Sequence, residues 1–498
     1  MRPQGRADRH RRLRDPLQSP FLPIRAASRS GGDRRRPRCA ERRNHADAAG
    51  GAFVSPEKHA AYPEYKESGV RWLGRIPGTW RVCRVKDFVQ LHSGYPFASE
   101  QFDPEEGIPL IRIRDIAFSR TEVRVKGDVP QDSLIRDGDV LIGMDGDFNV
   151  AWWNAGEAAL NQRVACLRAG TADLQRFLFY SLPFNMQIVN DLTYFTTVKH
   201  LSNTDILKTR FAMPSAKELS SIAKFLDYET AKIDALIEKQ QQLIALLEEK
   251  RQAVISHAVT KGLNPDAPMR DSGVEWLGKV PAHWRSGKTK LFAELRSGHT
   301  PSRSKPEYWE DCHIPWFSLA DVWQLRDGQQ IYLGETKEKI SDLGLANSAA
   351  DLLPAGTVIL SRTASVGFSG IMPVPMATTQ DFVNWIPGES LISEYLLFVF
   401  RGMSPEFDRL KMGSTHKTIY MPDVMQFSCP VPPLDEQRAI VSHLTENLDI
   451  LQNAAERAND LMGLLKERRT ALISAAVTGK IDVRGWKPPE PKAEGEGA

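Results

Sequence analysis

Lys66-Glu67-Ser68-Gly69-Val70-Arg71-Trp72-Leu73-Gly74-Arg75-Ile76-Pro77-Gly78-Thr79-Trp80-Arg81 returns 204 positions later as Arg270-Asp271-Ser272-Gly273-Val274-Glu275-Trp276-Leu277-Gly278-Lys279-Val280-Pro281-Ala282-His283-Trp284-Arg285. A second stretch, Arg251-Gln252-Ala253-Val254-Ile255-Ser256-His257-Ala258-Val259-Thr260, returns as Arg469-Thr470-Ala471-Leu472-Ile473-Ser474-Ala475-Ala476-Val477-Thr478 at a shift of 218. A period near two hundred residues is far longer than a solenoid unit of about 20–45 residues. The chain is therefore a duplicated unit, a domain followed by a helix. Two like units suit a target that itself has two halves.

Working inward from the two boxes, the offset is 204 at Ser93-Gly94 and Ser297-Gly298, 206 at Asp115 and Asp321, and 218 from Gly138 and Gly356 onward. It then holds through Gln162 and Gln380, Thr197 and Thr415, Lys199 and Lys417, and Asp205 and Asp423. The net inserted length thus falls inside the globular part, mostly within 323–355. Short β-like runs with turn signals between them occupy matching places: Ile108–Ile113 and Ile314–Leu319, then Asp139–Ile142 and Thr357–Leu360. The fold class that follows is α+β, with two similar mixed domains. Trp72, Trp80, Trp276 and Trp284 read as packing anchors at a domain edge, with base stacking the lesser reading. Loop chemistry changes while the frame is kept, since Gly143-Met144-Asp145-Gly146-Asp147-Phe148 corresponds to Ser361-Arg362-Thr363-Ala364-Ser365-Val366.

After Pro214 and after Pro432-Pro433 the text turns helical. Leu226, Ile233, Leu236, Gln240, Leu243, Leu247 and Val254 step by sevens, threes and fours, an a/d seam. The second copy reads Leu444, Leu451, Ala454, Ala458, Leu461, Leu465 and Leu472, with alanines where the first has Leu236 and Gln240. Large residues facing small ones predict that the two helices pack on each other. A helix of about 40 residues would be a rod of roughly 60 Å, a ruler between two domains.

At 498 residues with 41 % apolar content the chain has enough material for several folded domains. It has no apolar run approaching a membrane span and no signal-peptide pattern, so the expected compartment is the cytoplasm, away from any membrane. Cys39, Cys83, Cys166, Cys312 and Cys429 are scattered without a Cys-x-x-Cys pair, and are expected as buried or incidental thiols rather than metal ligands. Residues 1–50 carry fourteen arginines against five acids, leaving the rest of the chain near −6 despite an overall +3. Any basic DNA-facing surface must be local. The leader, residues 1–60, has too little apolar periodicity to offset ordering entropy, and disorder is expected there. Two readings stand for it: a basic arm on DNA phosphates, or sequence ahead of a true translation start near Val54. The repeat needs nothing upstream, which favours the second.

Catalytic motifs are sparse. There is no Gly-x-x-x-x-Gly-Lys-Ser/Thr phosphate loop, no Asn/Asp-Pro-Pro-aromatic tetrapeptide, no glycine-rich dinucleotide loop and no Gly-x-Ser-x-Gly elbow. Glu335-Thr336-Lys337 has the spacing of a metal-dependent nuclease triplet without the further carboxylate that such a site needs. Asp145 and Asp147 lie where the second copy has Thr363 and Ser365, so they do not belong to what both units share.

The two Ser-Gly-Val-x-Trp-Leu-Gly boxes, Gly138-Asp139-Val140-Leu141 with Gln162, Gly356-Thr357-Val358-Ile359 with Gln380, and Glu436-Gln437-Arg438-Ala439-Ile440-Val441 together resemble a type I restriction-modification specificity subunit. The resemblance covers residues 62–485 and departs from the pattern at Leu219, where glutamine is usual. It implies target-recognition domains at 62–212 and 263–429, conserved helices at 213–262 and 430–480 pairing as an antiparallel coiled coil, and a flexible tail at 481–498. It implies no catalytic residue, metal or cofactor in this chain. Each domain would read half of a bipartite duplex DNA target, with two adenine-N6 methyltransferase subunits docked and nuclease-translocase subunits added. S-adenosylmethionine, magnesium and ATP would be used by those partners. The rival readings are a stand-alone nuclease or methyltransferase and a two-headed protein scaffold.

Candidate DNA-binding residues lie in loops that differ between copies or carry basic and amide groups: Arg112, Arg114, Gln162, Thr197 and Lys199 in the first domain, and Ser318, Arg362, Gln380, Thr415, His416 and Lys417 in the second. For Gln162 and Gln380, bidentate adenine contact and a sheet-closing amide bond weigh equally. For His416 a solvated loop histidine outweighs a base contact.

Overall fold

Each Ser-Gly-Val-x-Trp-Leu-Gly box is the turn between two short antiparallel strands, Tyr65–Glu67 with Arg75–Pro77 and Met269–Asp271 with Lys279–Pro281. Gly69, Gly74, Gly273 and Gly278 hold φ between 57° and 69°, the left-handed region open to glycine without strain. The second tryptophan of each box is core: Trp80 is fully buried and Trp284 nearly so. Each indole N–H donates to a carboxylate in the first turn of a long helix, Trp80 Nε1 to Glu218 Oε1 at 3.3 Å and Trp284 Nε1 to Glu436 Oε2 at 2.8 Å. Trp72 and Trp276 are half-buried and donate to Asn185 and to the Ser428 carbonyl. All four tryptophans pack. The computed structural model describes residues 60–118, 120–193, 200–411 and 418–489.

The offsets read from the sequence reappear as matching hydrogen-bond ladders. In the first unit an antiparallel sheet runs Val150–Trp152, Val140–Gly143, Val164–Ala169, Val89–Ser93. In the second the order is Ser369–Ile371, Val358–Ser361, Phe382–Pro387, Ala293–Ser297. Beside each lies a mixed sheet with one parallel pair, Ile108–Ile111 with Ala158–Leu160 and Ile314–Phe317 with Ala377–Thr378. The registers Ile111↔Leu160 and Phe317↔Thr378 carry the offsets 206 and 218 across. A third pair closes each domain against its long helix, Arg81–Arg84 with Arg210–Met213 and Arg285–Lys288 with Ser428–Val431. The central strands Val140–Gly143 and Val358–Ser361 are buried along their whole length because both faces are covered.

Two helices dominate the rest, Ala216–Lys261 of 46 residues and Leu434–Val477 of 44. Ser215 and Glu218 form a capping box at the first. The helices run antiparallel. Leu219, Ile222, Phe225 and Leu226 from the start of the first share a core with Ala476 and Val477 from the end of the second. Ile255, Ala258 and Val259 at the other end share the second domain's core with Ile440 and Leu444. Between these anchor points Arg469 reaches across to Asp234 with Nε to Oδ1 at 2.8 Å. Each domain is thus held by both helices.

The seam needs a correction. Leu226, Ile233, Leu444, Leu451, Ala458 and Leu465 are buried, and Leu247, Leu461 and Leu472 half-buried, but Leu236 and Leu243 are each 42 % exposed. Ile237 and Ile244 are half-buried in their place. The Leu-Ile doublets at 236–237 and 243–244 allow two phases, and the packed phase is a four-then-three step from Ile233. The chain end also differs from a flexible tail over 481–489. Val483 is buried, Trp486 packs edge-on against Phe225 with centroids 5.5 Å apart, and Asp482 N donates to the Ala60 carbonyl at 2.7 Å. Residues 1–59 of the leader and residues 490–498 lie outside the described residues.

Candidate nucleic-acid interface

In each domain the strand ends converge on one cluster of loops. Met144 N donates to the Arg163 carbonyl at 3.0 Å and Leu201 N to the Met144 carbonyl at 2.7 Å. In the second domain Arg362 N donates to the Asp381 carbonyl and Ile419 N to the Arg362 carbonyl, both at 2.9 Å. These are the same bonds, displaced by 218. The turns after Gly94 and Gly298 close the cluster, Tyr95 N donating to the Leu160 carbonyl and His299 N to that of Thr378. A Cβ on Gly94 would lie 2.0 Å from the Asn161 carbonyl oxygen, and one on Gly298 2.2 Å from that of Thr379, so only glycine fits. Gly146 with φ 78° and its counterpart Ala364 with φ 59° share the same left-handed turn. Ala364 adopts a conformation that L-residues disfavour, which marks a loop shape held by its surroundings.

On this common frame the side chains differ. The first domain presents Asp145, Arg163 and His200 together: His200 Nδ1 is 2.7 Å from Asp145 Oδ1, and Arg163 Nε 3.5 Å from Asp145 Oδ2. The second has Thr363, Asp381 and Thr418 at those positions. There Arg362 lies across the cluster, Nε donating to the Gln380 carbonyl at 3.1 Å, while Thr300 Oγ1 donates to Gln380 Oε1 at 2.7 Å. One cluster is mixed in charge and the other carries a single cation among amide and hydroxyl groups.

Of the candidates from sequence, Arg114, Gln162 and Gln380 are exposed in these loops and Arg362 is half-buried among them. Arg112 and Ser318 have a different job. Arg112 Nε donates to Asp115 Oδ2 at 2.8 Å, and Ser318 Oγ donates to Asp321 Oδ2 at 2.9 Å while accepting from Ala320 N. Both side chains bond within the turn that follows the parallel strand. Thr197, Lys199, Thr415, His416 and Lys417 lie outside the described residues. Sequence reasoning missed Arg163, His200 and Asp381; the signal was available as a reversal of charge at one aligned position, Arg163 against Asp381.

Chemistry at the cluster is that of hydrogen bonding. Among the described residues no group of three or more His, Cys, Asp or Glu side chains could hold a metal ion. Thr336 and Lys337 of the nuclease-like triplet are tied into the fold, Thr336 Oγ1 donating to the Glu338 carbonyl and Lys337 N to Asp321 Oδ1. Burial raises the Cys166 thiol far above its ordinary range, with the Asp139 charge adding to it, and burial lifts Cys429 to about 12. Neither is a ready nucleophile. No helix among the described residues is long and apolar enough to cross a membrane.

Two α+β heads with one backbone frame and unlike loop chemistry, set apart on an antiparallel helix pair, define a two-headed recognition protein. The chain belongs to the family of the type I restriction modification DNA specificity domain, which matches residues 77–246 and 281–460. It is 23% identical over 440 residues to the type I restriction enzyme EcoBI specificity subunit of Escherichia coli, covering 86% of this chain and 91% of that protein. It is 21% identical over 457 residues to the MjaVIII specificity subunit of Methanocaldococcus jannaschii, with 84% and 97% covered. A solved chain from work on complex assembly and conformational transition of the type I R-M system overlays with a TM-score of 0.57 at 19% identity, covering 82% of this chain and 99% of that one. That likeness is one of fold.

Proposed function

We propose that this chain is the DNA-reading specificity subunit of a type I restriction-modification complex. Each head reads one half of a bipartite duplex target, and the helix pair sets the unread gap between the halves. The observation that carries this reading is the repeated strand-end frame, which shares key backbone bonds and differs in its side chains. Arg and Lys side chains around the loops position the duplex through phosphates, and a few loop side chains select bases. The chain supplies no catalysis. Two adenine-N6 methyltransferase subunits dock on it and use S-adenosylmethionine, while nuclease-translocase subunits use magnesium and ATP, all in the cytoplasm.

Footprinting of the chain mixed with the methyltransferase and nuclease subunits encoded beside it tests the proposal. A protected site of two short blocks flanking an indifferent gap, weakened by salt as counterions are released, is expected. Methylation or cleavage of DNA by the purified chain alone, with S-adenosylmethionine or Mg²⁺, would sink it.

A further inference from the structure

A cavity of about 430 Å³ lies between the first long helix and the second head, with Gly367 and Phe368 among its lining. Three guanidinium groups line it, of which Arg251 from the helix and Arg401 from the head are the less exposed. Both are bonded only to backbone carbonyls. Arg251 Nη1 donates to the Asp327 carbonyl at 3.1 Å and its Nη2 to that of Gly328, while Arg401 Nη2 donates to the Gln330 carbonyl at 2.7 Å. Neither has a carboxylate within ion-pair distance among the described residues. Ser369 also lines the cavity; it is 3% exposed and its hydroxyl has no hydrogen-bond partner. The other charged linings, Glu248, Arg326 and Asp327, are exposed, and Asp327 Oδ1 already accepts from Gln329 N.

The first unit keeps the helix arginine but not the rest of this arrangement. By the 218 offset Arg401 corresponds to Pro183 and Arg251 to Arg469, which has Asp234 as its partner, and by strand register Ser369 corresponds to Val150. The position related to Asp234 is Gln452, so the helix pair offers Arg251 no carboxylate in return. The Asp327–Gln330 carbonyls belong to the stretch inserted only in the second head. Gly328, at φ 66°, lets the guanidinium approach, since a Cβ there would sit 2.7 Å from Arg251 Nη1. Burying two cations side by side is costly. Burial and then the Arg251 charge lower Arg401 to about 10 and burial lowers Arg251, with the Asp327 carboxylate, and for Arg251 also Glu248, offsetting part of this.

We propose that this cavity binds a phosphate-type oxyanion, held by Arg251 and Arg401 and by the Ser369 hydroxyl. An oxyanion answers both unmatched charges and the orphan donor at once, with the short, charge-assisted bonds that guanidinium forks make. The anion is either free in solution or a phosphate of the DNA backbone crossing the gap. The first case is independent of the DNA-reading function and the second rests on it.

Phosphorus-31 NMR of the full chain titrated with inorganic phosphate, at fixed ionic strength in chloride, tests the site. Saturable broadening is expected, weakened at least about tenfold in Arg401→Gln and severalfold in Ser369→Ala. Ser369→Ala keeps both arginines and decides the matter should Arg401→Gln fail to fold. If the anion comes from DNA, inorganic phosphate competes with duplex binding, and Arg251→Gln lowers the salt slope of duplex affinity by about one while leaving both half-sites unchanged. A phosphate response that is non-saturable and equal in wild type and both variants, with an unchanged salt slope, overturns the proposal. Loss of bipartite protection in the wild type would instead count against the DNA-reading function.

Discussion

Lengthening both long helices by four residues, near Gln240 in one and Ala458 in the other, should widen the gap between the two recognised half-sites. Both must change together because each head is anchored on both helices: the first on Leu226 and Ala476, the second on Val259 and Leu444. At 1.5 Å per residue the heads move apart by about 6 Å and turn by about 40°. With about 3.4 Å per base pair, the gap should grow by one or two pairs. A seven-residue insertion in each helix keeps the seam in phase, adds about 10 Å, and should widen the gap by about three pairs. The assay is mapping of methylated adenines on random-sequence DNA by the assembled complex. An unchanged gap, or altered bases within either half-site, would refute the ruler. Lengthening one helix alone leaves a mismatch of about 6 Å that must loop out, and should lower stability without moving the gap.

Other outcomes follow from the same packing. Ile233→Ala, at a buried seam position, should lower stability by about 2–4 kcal/mol, whereas Leu236→Ala on the exposed face should stay under about 1 kcal/mol, both read from denaturant midpoints. Equal losses would return the seam to the other phase. Cys166 and Cys429 should resist iodoacetamide at pH 8 in the native chain and react on unfolding, because burial keeps them as thiols; mass mapping that finds either one labelled in the folded protein would contradict this. Arg163→Ala should relax base preference in one half-site only, at about 1–3 kcal/mol of discrimination, as measured by selection from a randomised duplex library. An effect on both half-sites would remove Arg163 from the reading surface.

Much of this architecture was legible because duplication lets one half of the chain check the other. The offsets 204, 206 and 218 located the strands, placed the insertion in the second head, and matched ladder bonds such as Leu201 N to Met144 O and Ile419 N to Arg362 O. That the two helices pair followed from large residues set against alanines, and their antiparallel sense from the family resemblance. Seam phase was harder, because Leu236-Ile237 and Leu243-Ile244 present an apolar residue in either register and only packing against the partner helix chooses between them.

Side-chain roles were legible where a local rule existed and missed where the partner was distant. Arg112 and Ser318 each stand three residues before an aspartate, a turn signature that outweighs their donor chemistry. Arg163 and His200 meet Asp145 across 18 and 55 positions, which no spacing rule encodes. The pairing of Arg251 with Arg401 was likewise out of reach, since it depends on where the inserted 325–330 loop lies against the helix.

The central claim is that two unlike heads read one split target. Sequencing of adenine methylation laid down by the assembled complex on random-sequence DNA tests it most directly. The account predicts one bipartite motif with a methylated adenine in each half, two different half-site sequences and a gap of fixed length whose bases vary freely. A single contiguous motif, or two half-sites at variable separation, would contradict it.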